Sequence, residues 1–446
     1  MNVKCWVRCF EIVSKIFFPL DKSLNILNSK GFTIVFGEIR YNGELMDEVL
    51  LNIFIAPNSY TGENTVEISC HASPYIVKKI LEALIVNGAS NAMPGEFTQR
   101  AFLNGKIDLS QAEAVADVIA SASEISHKVA INQMKGGFSA EIQKLRSELL
   151  NFTSLIELEL DFSEEDVEFA DRNELMNTVI RVKETTDKLS ESFSLGNALR
   201  NGVPVAIVGK PNSGKSTLLN ALLMEEKAIV SEIPGTTRDV IEDTIVIKGI
   251  EFRFIDTAGL RETTDIIESL GIKKTLEKVS QASVVVLIDE IGEKAETINE
   301  RINYISDMIE NTGAKLIVAI NKCDLAIAEN IDQLHKEIKT TNDDEIMFIS
   351  AQQKTRLNEL KNRLVSMVSD KLRPDSVIIT NIRHYEALRK ISSSLERVTQ
   401  GLKQNSPSDL IAIDIRQTIH YLGEITGEIT TDEVLGNIFK NFCIGK

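Results

Sequence analysis

The segment Gly209-Lys210-Pro211-Asn212-Ser213-Gly214-Lys215-Ser216 has the spacing GxxxxGK[ST]. In that pattern the glycines let backbone N–H groups close around phosphate oxygens at the positive end of a following helix. Lys215 would neutralise the β and γ phosphates, and Ser216 would hold Mg2+ through its hydroxyl. Ser213, Gly214 and Thr217 belong to the same cradle. Three more pieces follow in order. Asp256-Thr257-Ala258-Gly259 ends an expected strand, placing a carboxylate toward the metal and the Gly259 N–H toward the γ-phosphate. Asn321-Lys322-Cys323-Asp324 ends another, where the Asp324 carboxylate can accept two N–H donors from guanine. Adenine lacks that donor pair, so GTP is favoured over ATP. Ser350-Ala351 follows the last strand and suits a loop that touches the guanine oxygen. The ordered set describes a GTP-binding domain.

How such a site would hydrolyse GTP turns on one departure. Leu260 follows the DTAG glycine, where small signalling GTPases carry a water-orienting Gln. Another group must act. Glu268 lies in the same switch region and could orient water, and Arg238 and Arg261 are candidate arginine fingers. On residue type alone, an exposed helix carboxylate and ordinary surface arginines are the favoured readings of the three. A bound monovalent cation is the remaining way to neutralise transition-state charge.

These groups need a scaffold. Residues 203–370 alternate β and α, with strands at Val203–Val208 and near Thr244, Phe252, Val284, Leu316 and Met347, and a helix from Ser216. That is the pattern of a parallel, helix-covered sheet. Before it, residues 32–104 read as a small α+β unit. One strand runs through Thr33, Val35 and Gly37 to Ile39, and Asn42-Gly43 makes a tight turn into a second through Val49, Leu51 and Ile53. A third lies at 65–70, and a helix follows from Ser73 through Ile76, Ile80 and Leu84. From 105 to 200 the period is helical: Leu145, Leu149, Phe152, Ile156 and Leu160 form one stripe. Residues 161–174 hold seven acidic residues to one basic and read as a solvated face or loop. Helical periodicity returns from about 380. The expected architecture is a P-loop GTPase domain of mostly parallel α/β type, inserted in a discontinuous α-helical domain and preceded by a small α+β domain. The expected boundaries are 1–104, 105–200, 201–370 and 371–446.

Composition narrows the class. With 446 residues, 43% hydrophobic and 26% charged, the chain is neither a disulfide-stapled miniature nor intrinsically disordered. Five cysteines without metal-like clustering point to a reduced, cytoplasmic setting. Glu11 and Lys15 interrupt the apolar N-terminal stretch, against a signal peptide, and no run reaches the roughly 18 apolar residues of a membrane span. Sixty-five acidic against 49 basic residues give a net charge of −16, which argues against broad nucleic-acid binding but leaves room for a local RNA site.

Outside the GTPase segment, Ser59-Tyr-Thr-Gly-Glu63, Pro94-Gly-Glu-Phe-Thr98, Arg100-Ala-Phe-Leu-Asn104, Asp108-Leu-Ser-Gln-Ala-Glu113 and the terminal Phe442-Cys443-Ile-Gly-Lys446 complete a pattern. Together with the nucleotide motifs, it resembles the MnmE (TrmE) family of tRNA-modification GTPases, from about residue 10 to the last. A prenylation signal fits that ending poorly, because of Gly445 and Lys446. The resemblance implies a folate-binding, dimerising N-terminal domain, a helical domain in two segments and an inserted G domain. It further implies a homodimer that works with an FAD- and NADH-using partner of the MnmG (GidA) type, as a heterotetramer. Together they would add a C5 substituent, such as aminomethyl or carboxymethylaminomethyl, to the wobble uridine of certain tRNAs. A reduced folate, methylene- or formyl-tetrahydrofolate, would give the one-carbon unit. Hydrolysis would be activated by K+ and accompany contact between two G domains.

Residue by residue, the resemblance makes Asn212 a K+ ligand, with Ser231, Ile233 and Thr236 supplying the rest. Thr237 matches the Mg2+ and γ-phosphate threonine, and Glu268 the water-orienting glutamate. Potassium would stand in for an arginine finger, worth up to roughly 10³–10⁵ in rate. Glu67, Lys106 and Lys446 match the folate pocket, and Cys443 matches a cysteine that is either functional or a small buried residue. Members of the family begin with a Gly/Arg-rich segment that Met1–Cys9 does not match, so either the start lies within the gene or part of the folate pocket is lost. Ala72 stands where a glycine is expected. The competing functions are a ribosome-assembly or RNA-binding GTPase without covalent RNA chemistry, and a pure nucleotide switch.

Overall fold

The computed structural model of the chain describes residues 3–4, 8–161, 172–226, 243–255, 279–310, 312–339, 345–369, 377–430, 435–436, 438–439 and 442. They fall into two compact units, one drawn from residues 1–119, 130–183 and 390–446, the other from 120–129 and 184–389.

In the first unit, strand β1 (Val3–Lys4) pairs with a short strand at Ser90–Asn91. A four-stranded antiparallel sheet follows the order β2 (Phe17–Pro19), β3 (Thr33–Tyr41), β4 (Glu44–Phe54), β5 (Thr65–Ser69). The Asn42-Gly43 turn is in place, with both residues at positive φ. Alternation does the rest. Val35, Ile39, Val49, Leu51 and Ile53 are buried against Ile80, Ala83 and Leu84 of the helix Pro74–Val86. The opposite face leaves Phe18, Ile34, Phe36 and Leu50 exposed. Gly37 permits the close β2 edge, since a Cβ there would lie 2.5 Å from the Phe18 carbonyl oxygen. A short helix, Cys9–Val13, precedes the edge strand Phe17–Pro19. Pro19 has no N–H to offer a further strand, which suits an edge.

The long helix Gly137–Asp161 buries Ile142, Leu145, Leu149 and Ile156. It packs against Ser408–Thr426, whose Ile411, Ile415 and Leu422 are buried. An Arg146–Glu428 ion pair at 2.8 Å ties the first helix to the chain just beyond the second. The helical stretches before and after the α/β segment therefore pack together.

The second unit is built on a six-stranded sheet. Counting Ser90–Asn91 as β6, its strands are β7 (Val203–Val208), β8 (Asp243–Ile247), β9 (Ile250–Phe254), β10 (Val284–Glu290), β11 (Lys315–Asn321) and β12 (Glu345–Phe348). The order is β12-β11-β10-β7-β9-β8. All neighbours are parallel except β8, which pairs antiparallel with β9. Both faces are covered. Val284, Val286 and Ile288 face Leu218, Leu222, Leu360 and Leu364 of the helices Lys215–Glu226 and Leu357–Ser369. Val285 and Leu287 face Ile298, Ile302, Ile305 and Ile309 of Ala295–Ile309. Burial on both sides explains why β7, β10 and β11 are apolar runs, while β8 and β9 toward the edge carry Asp243, Glu251 and Arg253. Among the described residues no helix is long and apolar enough to cross a membrane.

Candidate functional site

The site begins where β7 ends. Gly209 has φ +153°, and a Cβ on it would lie 2.1 Å from the Ile288 carbonyl oxygen of β10. Gly214 has φ +103°, and its Cβ would meet the Asn321 amide nitrogen at 2.1 Å. Both positions need glycine for the close approach as well as for the backbone. Asn212 takes φ +61°, a left-handed conformation that asparagine tolerates. The loop leads directly into the helix Lys215–Glu226, whose first-turn N–H groups favour an anion.

Each expected residue has a distinct setting. Lys215 donates to the carbonyls of Gly209 and Lys210 at 2.9 and 2.6 Å, curling over its own loop. Ser216 is half-buried in the first turn and Thr217 is exposed. Asn212 is exposed, and its amide makes no hydrogen bond among the described residues. Ser213 is wholly buried, and its hydroxyl has no hydrogen-bond partner among the described residues.

The base-recognition motif is tied to this loop. Asn321, 3% exposed, donates from Nδ2 to the Ser213 carbonyl at 2.9 Å. Its Oδ1 accepts the Ala351 N–H at 2.9 Å. One buried amide thus joins the phosphate loop, the end of β11 and the loop after β12, and it occupies the Ala351 N–H within the protein. Ser350 is buried, and its hydroxyl accepts the Gln353 N–H at 3.1 Å. Lys322 stands at φ +64°, starting the turn that leaves Asp324 exposed with no hydrogen-bond partner among the described residues. That carboxylate is free to receive a base.

An ionic cluster that no motif marks adjoins the loop. Lys322 donates to one Glu290 oxygen at 2.5 Å and Lys210 to the other at 2.6 Å. Lys210 also pairs with Glu293, which meets Arg301 at 3.5 Å, and Arg301 pairs with the fully buried Asp289. The hydrogen bonds from Lys210 and Lys322 pull the Glu290 carboxyl down to about 2. The hydrogen bonds that Lys210 donates to Glu290 and Glu293 push its own ammonium up. The cluster's Lys210 and Lys322 sit within the two nucleotide motifs, but the acids lie some eighty residues from the phosphate loop and no spacing marks them.

In the other unit, three of the sequence motifs converge. Arg100 forks between Glu63 at 2.9 Å and Glu96 at 2.8 Å. Tyr60 Oη lies 3.0 Å from Thr98 Oγ1, and Asn104 donates to the Thr61 carbonyl at 2.8 Å. Lys106 is exposed, donates to the Pro57 carbonyl at 3.0 Å and packs its stem by Gly62. Glu67 is exposed on β5 and makes no hydrogen bond with this network. Ser231, Ile233, Thr236, Thr237, Asp256, Gly259, Glu268, Cys443 and Lys446 lie outside the described residues, as do Arg238, Leu260 and Arg261.

The sequence profile of the MnmE helical domain matches residues 109–443, and that of the N-terminus of the GTP-binding protein TrmE matches residues 7–106. The chain belongs to the MnmE family of tRNA modification GTPases. The MnmE of Flavobacterium johnsoniae is 53% identical over 432 residues, spanning 96% of this chain and 92% of the relative. That of Bacteroides fragilis is 52% identical, spanning 98% and 95%. A solved structure of Era from Aquifex aeolicus is 29% identical over 43% of this chain and 66% of its own, with a TM-score of 0.28. As an MnmE-family member the chain is a GTP hydrolase.

Proposed function

We propose that this MnmE-family chain is a K+-activated GTP hydrolase that serves C5 modification of the wobble uridine in certain tRNAs. Its homodimer would work with an FAD-dependent MnmG-type partner and a reduced folate as one-carbon donor. The observation that carries the cation reading is Asn212. Within a loop whose neighbours are locked by Asn321 and by glycine geometry, it alone presents an exposed, uncommitted side-chain amide. An amide oxygen suits a weakly bound monovalent cation. Asn212 would hold K+ with Ser231, Ile233 and Thr236, and Ser216 with Thr237 would hold Mg2+. When bound, these ions would neutralise charge building on the phosphate oxygens.

The chain's own residues would do the rest. The N–H groups of Ser213 to Thr217 hold the β-phosphate, and Lys215 exchanges the Gly209 and Lys210 carbonyls for phosphate oxygens. Asp324 accepts the guanine N–H donors, with Lys322 covering the base and Ser350-Ala351 closing its edge. Glu268 orients the attacking water. Family membership supports the MnmG-type partner and the tRNA. The exposed Phe18, Ile34, Phe36 and Leu50 face supports pairing of two copies. Lys106, beside the Arg100 network, supports a folate site there with Glu67 and Lys446.

The test is GTP turnover in KCl against NaCl at equal ionic strength. Potassium should raise turnover by more than about tenfold, and Asn212→Ala should abolish that gain while keeping GDP affinity. Equal rates in the two salts would remove the cation from the mechanism.

A further inference from the structure

Three cations and three carboxylates alternate beside the nucleotide loops, in the order Lys322, Glu290, Lys210, Glu293, Arg301, Asp289. Glu290 is the link that touches both loops. It ends β10 opposite Asn321 in the parallel register, and the next residue, Ile291, donates its N–H to the Asn321 carbonyl at 3.0 Å. The carboxylate is therefore carried on backbone hydrogen-bonded to the base-recognition motif itself. One of its oxygens takes the ammonium of Lys322 from that motif, the other the ammonium of Lys210 from the phosphate loop.

We infer that Glu290 is a positioning residue for guanine recognition: it holds the Lys322 ammonium so that the lysine stem is already laid out for the face of the base before nucleotide arrives. Lysine is a point charge on a flexible four-carbon stem. Ordering such a side chain only on binding would subtract from affinity. At Lys322 the left-handed backbone fixes where the stem starts and Glu290 fixes where it ends. Lys210 explains why a carboxylate is tolerated so near a polyanion. A glutamate balanced by one lysine loses that balance whenever Lys322 moves, whereas Lys210 keeps the position neutral. Glu293 and Arg301 brace Lys210 in turn. The two ammonium donors also keep Glu290 ionised across any working pH.

This assignment rests on reading Lys322 as the residue that covers guanine, and the test separates the two. In the full-length chain, GDP affinity is measured by titration calorimetry, with GTP turnover in potassium alongside. Glu290→Gln keeps the shape and removes the charge. It should raise the GDP Kd and the GTP KM about five- to tenfold, with kcat within about twofold. Lys322→Ala should weaken GDP at least as much, and adding Glu290→Gln to it should bring no further loss. Glu293→Gln, which leaves both Glu290 contacts in place, should hold Kd within about twofold. The proposal is overturned if Glu290→Gln leaves Kd unchanged, if its effect multiplies with that of Lys322→Ala, or if Glu293→Gln costs as much affinity. Wild-type GDP binding by Lys322→Ala would overturn the underlying reading of that lysine instead.

Discussion

Replacing Asn321 tests whether one buried amide holds the phosphate and guanine loops together. Its side chain is 3% exposed, with Nδ2 on the Ser213 carbonyl and Oδ1 on the Ala351 N–H, both at 2.9 Å. Asn321→Ala leaves one buried acceptor and one buried donor without partners. At about 1–3 kcal/mol per orphaned group, the loss should be ~2–5 kcal/mol. For a unit of this size that corresponds to a fall in melting temperature of roughly 5–15 °C, read by calorimetry without nucleotide. Asn321→Asp is the sharper case. It nearly preserves volume and can still accept from Ala351, but it sets a carboxylate oxygen against the Ser213 carbonyl. If hydrogen bonding is the cause, the Asp variant should lose at least as much stability as the Ala variant. An Ala variant within about 0.5 kcal/mol of wild type would refute the reasoning outright, and a near-neutral Asp variant beside a costly Ala variant would make Asn321 a matter of packing.

Phe36→Asp, on the exposed face of the β2–β5 sheet, should turn a dimer into a monomer by light scattering with the fold retained, because the side chain is 47% exposed. A dimer that persists would remove that face from the interface. Arg100→Ala should destabilise the N-terminal unit by about 3 kcal/mol in urea titration, since it strips Glu63 and the buried Glu96 of a forked partner. Arg100→Lys should recover little of this, because a lysine cannot bridge both carboxylates with the same planar geometry.

Much of the fold was legible in the residues. The strands around Val284 and Leu316 are apolar runs because both faces of that sheet are buried there, whereas Ile250–Phe254 alternates with Glu251 and Arg253, and Thr33 to Ile53 read as a hairpin because only one face is buried. The reversed direction of β8 was missed although the sequence marks it: only Lys248-Gly249, both at positive φ, separate β8 from β9, and a two-residue turn can join antiparallel strands alone. The edge strand Phe17–Pro19 was not legible, because a short apolar run has no period to choose between helix and strand. In the site, Gly209, Gly214, Lys215 and Asn321 declare themselves through spacing, since backbone shape and phosphate chemistry fix their intervals, whereas Asn212 stands out only through the family resemblance. Glu290, Glu293 and Arg301 do not. They meet Lys210 and Lys322 only after β10 and the following helix are packed. Arg100 stood within a recognised motif, but its role as the link between Glu63 and Glu96 is a tertiary fact.

The account's central claim is tested most directly by mass spectrometry of tRNA nucleosides from cells that lack their own modification GTPase and carry this chain instead. The account predicts that the C5-substituted wobble uridine returns, and that it is lost again with Asn212→Ala. Absence of the modified nucleoside in cells where the chain is expressed and hydrolyses GTP would contradict it.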